Sequence, residues 1–249
     1  MSGHSKWHSI RHKKAKVDAQ RGKVFTRLIK ELTVAARMGG GDPESNARLR
    51  TAVAAAKAAN MPADNIDRAI KKGTGELPGV SYEEITYEGY GPAGVAIMVD
   101  VMTDNKNRTV AEIRHLMSRN GGNLGANGCV AWMFHKKGII TIENEELNED
   151  ELLEIALEAG AEDMKNEDGV FEITTDPATF EDVRSVLEAK EIPMTSAVLT
   201  MVPVNTVKVE EKDAAKVLRL MDALENHDDV QNVYANFDIP EDVLAKLED

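Results

Sequence analysis

FTRLIKELTVAARMGGGDPESNARLRTAVAAAKAANMPADNIDRAIKKG, residues 25–73, repeats apolar side chains at helical spacing three times and is interrupted twice. Phe25, Leu28, Ile29, Leu32, Ala35 and Ala36 recur every three or four residues, the period of one helix face, before the breaker Gly39-Gly40-Gly41. A second helix is predicted to begin near Pro43 and Glu44, because proline suits a first helical turn, with Leu49, Ala52, Val53 and Ala56 inward. Pro62 opens a third, which buries Ile66, Ala69 and Ile70 and is expected to end at Gly73. Alanine-rich faces let helices approach closely, so the stretch predicts a small bundle with its long cationic side chains outside.

The charge on this bundle is opposite to that of the whole chain. The 249 residues carry a net −13, yet residues 1–72 hold 16 Lys and Arg against 6 Asp and Glu, a net +10. Residues 73–249 hold the remaining 14 against 37, a net −23. With a Debye length of roughly 8 Å at physiological salt, each part presents its own local field to a partner. Cation density peaks at Lys6, Arg11, Lys13, Lys14, Lys16, Arg21 and Lys23, with Asp18 the only acid before Glu31. Such a run is the footprint of phosphate-backbone contacts, against the plainer reading of a solvated basic arm. With Trp7, His12 and Arg27 these residues form the candidate nucleic-acid-binding set. Trp7 is placed either to stack on a base or, more simply, to anchor the arm on the helices behind it.

His4, His8 and His12 share one face at four-residue spacing and so could in principle hold zinc. No carboxylate or thiolate lies nearby to offset the metal charge, and the surrounding cations oppose it, so no metal is expected. The single cysteine, Cys129, excludes internal disulfides and cysteine-built zinc sites and fits a reducing compartment. The longest uncharged run, 192–207, contains Pro193 and Pro203, so no membrane span is expected, and the basic N-terminus lacks the apolar core of a secretion signal. A cytoplasmic protein is the expectation.

Past a Gly- and Pro-bearing linker at 74–81, the pattern changes to strands at 82–88, 94–103 and 129–134 with a helix at 107–120. Lys106, Arg108, Arg114 and Arg119 make a second basic patch on that helix, either a further phosphate edge or an ordinary exposed face. Then come strand 138–143, helix 149–159, strands 161–165 and 170–175, helix 178–190 and strand 195–202, a βαββαβ order. That is the order of a ferredoxin-like sandwich, which hosts many unrelated functions. Helix 211–226, strand 229–238 and a short helix from 240 are too little for a domain and are expected to complete the sheet begun at 82. The expected fold is thus multi-domain α and α+β. A helical bundle (1–78) precedes an α+β domain (79–134 plus 205–249), into which a ferredoxin-like domain (135–204) is inserted.

SGHSKWHSIRHKKAKVDAQRGKVF, NARLRTAVAAAKAANMPADNIDRAIKKGTGE and YEGYGPAGVAIMVDVMTDNKNRT, followed by GGNLGANGCVAWMF and DDVQNVYANFDI, resemble the YebC/PmpR family in order along nearly the whole chain. The resemblance implies a helical N-terminal domain and two α/β domains, the third inserted in the second. It also implies a cytoplasmic, probable transcriptional regulator that binds DNA. An alternative comes with it: mitochondrial relatives are translational activators of cytochrome oxidase, and bacterial ones are connected with ribosomes working on proline-rich sequences. The family supplies no catalytic residues.

Enzyme readings find little support in the residues. No G-x-x-x-x-G-K-[ST] motif occurs, and Gly121, Gly122, Gly125 and Gly128 follow a helix and precede a strand, the reverse of a phosphate-cradling loop. Cys129 with His115 or His135 could be a nucleophile, but a cysteine opening an apolar strand is usually a small core residue. The acids of 143–154 fit a solvated helix face and its N-terminus. No cofactor, metal or small-molecule substrate is expected. Three classes of partner remain: DNA, ribosomal RNA or the ribosome, and an unidentified protein bound by the acidic body. No side-chain pairing for base edges stands out, so backbone or shape recognition is favoured over direct readout. Aromatics at 4% give no RNP-type strand for single-stranded RNA.

Overall fold

The computed structural model describes residues 17–144, 147–167, 169–240 and 243–244. Three helices open it: α1 (Val17–Gly39), α2 (Ala47–Ala58) and α3 (Ala63–Thr74). Leu32, Ala35, Ala36, Leu49, Ala52, Ala56, Ile66 and Ala69 are the buried contact between them, as the periodicity required. Asn46 ties two of the helices together. Its Oδ1 accepts from Leu49 N at 3.1 Å and caps α2, while its Nδ2 donates to Ala35 O and Gly40 O at 2.8 Å at the end of α1.

Two boundaries differ from the sequence reading. The second helix begins at Ala47, not near Pro43, because Asp42 captures Glu44 N (3.0 Å) and Ser45 Oγ (3.2 Å) in a turn of its own. Gly73 does not end the third helix, which runs on to Thr74 and stops at Gly75 in the left-handed region (φ 85°). Gly73 is instead a packing residue: a Cβ there would collide with the Thr33 carbonyl and press on Ala36.

The body is α+β. Strands β1 (Glu83–Tyr90) and β2 (Ala96–Thr103) form an antiparallel hairpin; helix α4 (Lys106–Arg119) and the short β3 (Asn123–Leu124) follow. Next come β4 (Phe134–Glu143), α5 (Glu149–Glu158), β5 (Ala161–Glu167), β6 (Val170–Thr175), α6 (Phe180–Ala189) and β7 (Ser196–Pro203). The chain closes with β8 (Val207–Lys208), α7 (Glu211–Glu225), β9 (Val230–Ala235) and β10 (Phe237–Asp238). One sheet has the order β3-β1-β2-β9, another the order β5-β6-β4-β7, and β8 and β10 form a short parallel pair. The last long strand, β9, therefore returns to pair with β2, and the whole of the second sheet lies between β3 and β9 in sequence.

Helices α4 and α7 cover one face of the first sheet, burying Val99, Val101, Ile113, Met117, Val217, Leu220 and Val233. In the second sheet Ile140, Ile142, Phe171 and Ile173 pack against Leu152, Ala156, Val183 and Leu187 of α5 and α6. A smaller cluster, Ala96, Met98, Val130, Phe134 and Tyr234 with Met201 beside it, joins the two sheets.

A strand expected at 129–134 is absent. A 3-10 turn (Ala131–Met133) stands there, and β4 starts at Phe134, four residues earlier than the expected 138. The apolar run fails as a strand because its backbone donors are taken by a side chain. Gly128 N donates to Glu88 Oε1 (2.6 Å), and Val130 N (2.8 Å) and Ala131 N (2.7 Å) donate to Oε2. The helix expected from 240 falls mainly outside the described residues.

Candidate nucleic-acid interface

The cationic side chains of α1 among the described residues, Lys23, Arg27, Lys30 and Arg37, all bond to the chain beyond the bundle. Lys23 Nζ donates to Asn226 O (3.2 Å) and Asn226 Oδ1 (3.0 Å), and Arg27 donates to Glu225 O, so both meet the carbonyl-rich C-terminal end of α7. Lys30, one helical turn on, is buried. It reaches Asp229 Oδ1 at 2.7 Å, Asp228 O at 2.9 Å and Met102 O at 3.1 Å. Arg37 donates to Ser81 and to Val80 O. Arg48 of α2 forks between Glu31 (2.7 and 2.9 Å) and Glu84 (2.6 and 3.0 Å). Hydrogen bonds to these two carboxylates raise the guanidinium further above its already high ordinary value. Between α1 and the uncovered face of β1, β2 and β9 remains a cleft of about 610 Å³ lined by Arg27, Glu31, Arg48, Glu84, Asp100 and Gln231, among others.

Asp229 is the hub of this junction. Besides Lys30 it accepts from Thr109 Oγ1 (2.7 Å), Arg108 Nη2 (2.8 Å) and Thr103 Oγ1 (3.2 Å). Desolvation pushes its carboxyl up, but the Lys30, Thr109 and Arg108 bonds outweigh it and hold the group well below the ordinary range. Glu112, His227 and Asp229 bring their ligand atoms within 4.8 Å of one another. His227 Nδ1 accepts from Asp229 N (3.1 Å), so its Nε2–H donates to Glu112 Oε2 (2.9 Å). With both imidazole nitrogens engaged and Lys30 and Arg108 seated on Asp229, this trio is built to hold protein cations.

The sequence-predicted residues divide accordingly. Lys6, Trp7, Arg11, His12, Lys13, Lys14, Lys16 and the side chain of Arg21 lie outside the described residues. Lys23 and Arg27 are described and are engaged by α7. Of the second patch, Arg108 is committed to Asp104 (3.0 Å) and Asp229. Lys106, Arg114 and Arg119 are exposed on α4 and have no ion pair among the described residues. Lys57, Arg68 and Lys72 of the bundle are likewise exposed and unpaired among the described residues.

Sequence reading passed over Glu88 and Trp132. Glu88 fills the concavity of backbone N–H groups in the glycine-rich loop, the kind of nest that in other proteins takes a phosphate. Burial pushes its carboxyl up, but the three backbone donors prevail and hold it below its ordinary value. Its place opposite the loop leaves no local signal, because the partners are 40 to 43 residues away. Desolvation and the Glu88 charge both raise the Cys129 thiol, which disfavours the thiolate that nucleophilic chemistry needs.

Comparison with known proteins places these features in a family. A profile described as TACO1/YebC protein N-terminal domain matches residues 5–76, and one described as TACO1/YebC second and third domain matches residues 82–237. A "Probable transcriptional regulatory protein" of Syntrophobacter fumaroxidans is 62% identical over 248 residues, covering 99% of this chain and 100% of that one. A protein of the same description from Syntrophus aciditrophicus is 60% identical, covering 99% of each. The crystal structure of the conserved hypothetical protein Aq1575 from Aquifex aeolicus superposes with a TM-score of 0.80 at 53% identity, over 91% of this chain and 93% of that one. Among the described residues, no helix is long and apolar enough to cross a membrane.

Proposed function

The chain belongs to the TACO1/YebC family, and from that premise we propose that it is a non-enzymatic, cytoplasmic regulator that binds nucleic acid through its basic N-terminal helical module. The carrying observation is the charge partition, +10 in residues 1–72 against −23 in residues 73–249. An acidic body repelled by phosphate and a basic module attracted to it orient the molecule with the module toward the polyanion. The curated relatives named above are probable transcriptional regulatory proteins, which makes duplex DNA the first target. The phosphate-facing set is Lys6, Arg11, Lys13, Lys14, Lys16 and Arg21, supported by Lys57, Arg68 and Lys72. Lys23 and Arg27 serve to dock the bundle. The chain is proposed to divide into three units, 1–78, 79–134 with 205–249, and a ferredoxin-like 135–204.

A second reading, structured RNA of the translation machinery, is favoured by one observation: an exposed tryptophan, Trp132, on the body. Crosslinking in cells, followed by identification of the attached nucleic acid, separates the two. Promoter DNA supports the first reading, ribosomal RNA replaces it with the second, and crosslinks to protein alone contradict both.

A further inference from the structure

Thr86, Asp100 and Asn232 stand side by side across β1, β2 and β9, since Thr86 pairs with Asp100 and Asp100 with Asn232. Their neighbours along the strands, Tyr87, Val99 and Val233, point into the core under α4 and α7. By strand alternation the row faces the other way, onto the floor of the cleft beneath α1.

This row holds a carboxylate that the fold does not neutralise. Asp100 Oδ1 accepts from Thr86 Oγ1 at 2.7 Å, and the hydroxyl of the buried Tyr234 supplies a second bond. No cation pairs with Asp100 among the described residues, and the other charge acting on it is Glu84, of like sign. Burial pushes its carboxyl up, so the ionised form is kept at a cost to the fold. Beside it the Asn232 amide is exposed and makes no hydrogen bond among the described residues.

The rest of the cleft is settled. Glu31 and Glu84 share Arg48, and Val24 and Leu28 of α1 give an apolar wall. At about 610 Å³ the space is that of a small-molecule pocket. What it offers a ligand is one amide next to two carboxylate oxygens that each keep an accepting position. The complement is a flat molecule with an acceptor beside two adjacent donors. Guanine has that edge, in which O6 accepts while N1–H and N2–H donate; adenine, cytosine and uracil each put an acceptor where Asp100 calls for a donor. Chain continuity brings nucleic acid to the place, because the basic run that ends at Lys23 is followed directly by Val24 on the cleft wall.

We propose that this cleft takes an unpaired guanine, its Watson–Crick edge read by Asp100 and Asn232. This rests on the nucleic-acid reading above and adds base selection to it. Phosphates stay with the basic module, and the base is unpaired because pairing covers the edge that is read.

The test uses the full chain, wild type, D100N and N232A, titrated by fluorescence anisotropy at constant salt. The probes are hairpins of one stem whose pyrimidine loop carries a single guanine, adenine or inosine, made once as RNA and once as DNA. Circular dichroism verifies that the variants fold. The wild type is expected to favour the guanine loop over the adenine loop by about 5- to 150-fold, with inosine, which lacks the N2 amine, between them. D100N keeps the shape of the side chain but loses one acceptor, so it is expected to bind the three loops alike, and N232A to lose part of the preference. Competition with guanosine monophosphate identifies the source of the base. Displacement of the guanine loop assigns a pocket that also takes the free nucleotide, and no displacement assigns recognition within a strand; with the guanine preference in place, both support the proposal. Equal wild-type affinity for the three loops overturns the guanine site and leaves the nucleic-acid reading standing. A guanine preference that survives in D100N also overturns it. A wild-type protein that binds none of the hairpins, RNA or DNA, overturns both.

Discussion

Lys30 Nζ lies 2.7 Å from Asp229 Oδ1, with both side chains only 7% exposed, and this ion pair fastens the helical bundle to the first sheet. Lys30 stands on α1 and Asp229 just before β9, 199 residues apart. Arg108, Thr103 and Thr109 share the same carboxylate, so the junction is a network with Asp229 at its centre.

Its asymmetry makes the first prediction. Asp229→Ala strands a buried ammonium with two carbonyls and the Tyr82 ring, 5.6 Å away, for company, and such a loss costs about 3–5 kcal/mol. Lys30→Met leaves Asp229 with Arg108 and both threonines, so it costs less. Urea unfolding of the full chain measures both; equal effects, or a loss under about 1 kcal/mol for D229A, contradict the network.

The pH dependence of stability follows from the same carboxylates. Asp229 and Glu88 are held below their ordinary values of 3.8 and 4.5 in the folded protein. Their contribution is therefore full above those values and is lost as pH falls below them toward the folded pKa. Asp100 has the opposite sign. Desolvation raises it, only partly offset by bonds from Thr86 (2.7 Å) and Tyr234, so its charged form weakens the fold at neutral pH. Unfolding midpoints are expected to drop between pH 5 and pH 3 (about the carboxyl range), and less steeply in D229N. D100N is expected to raise the midpoint at pH 7 (about neutral). A D229N curve parallel to the wild type, or a destabilised D100N, contradicts the assignment.

Two glycines of the bundle respond oppositely to alanine. Gly73→Ala drives a methyl into the Thr33 carbonyl and is expected to cost about 1–3 kcal/mol. Gly22 is exposed within α1 with nothing within 4 Å of an added Cβ, so Gly22→Ala is expected to stabilise by about 0.5–1 kcal/mol. Thermal unfolding of both variants checks the pair; effects of the same sign argue against the close α1–α3 approach.

Helical and strand periodicity carried most of the architecture. The bundle core from Leu32 to Ala69 and the return of the last long strand to the sheet begun at 82 are both readable from spacing and composition, whereas its pairing with β2 in particular is not. What spacing did not show was where polar groups find partners across the chain. Asn46 displaced Pro43 as the start of α2 because its side chain serves two helices at once. Glu88 turned an apolar run into a loop from 40 residues away, and so left Trp132 in water. The same limit applied to the candidate site: the basic run was visible, but that Lys23 and Arg27 lie against the end of α7 depends on a contact about 200 residues distant.

The central claim, phosphate binding by the N-terminal arm, is tested most directly by the salt dependence of duplex DNA affinity. Replacing Lys13, Lys14 and Lys16 together by Ala is predicted to flatten the log–log slope by about 0.9 per lost contact. Lys23→Ala, which removes a cation already held by Asn226, is predicted to leave the slope as it is. An unchanged slope in the triple variant would contradict the account.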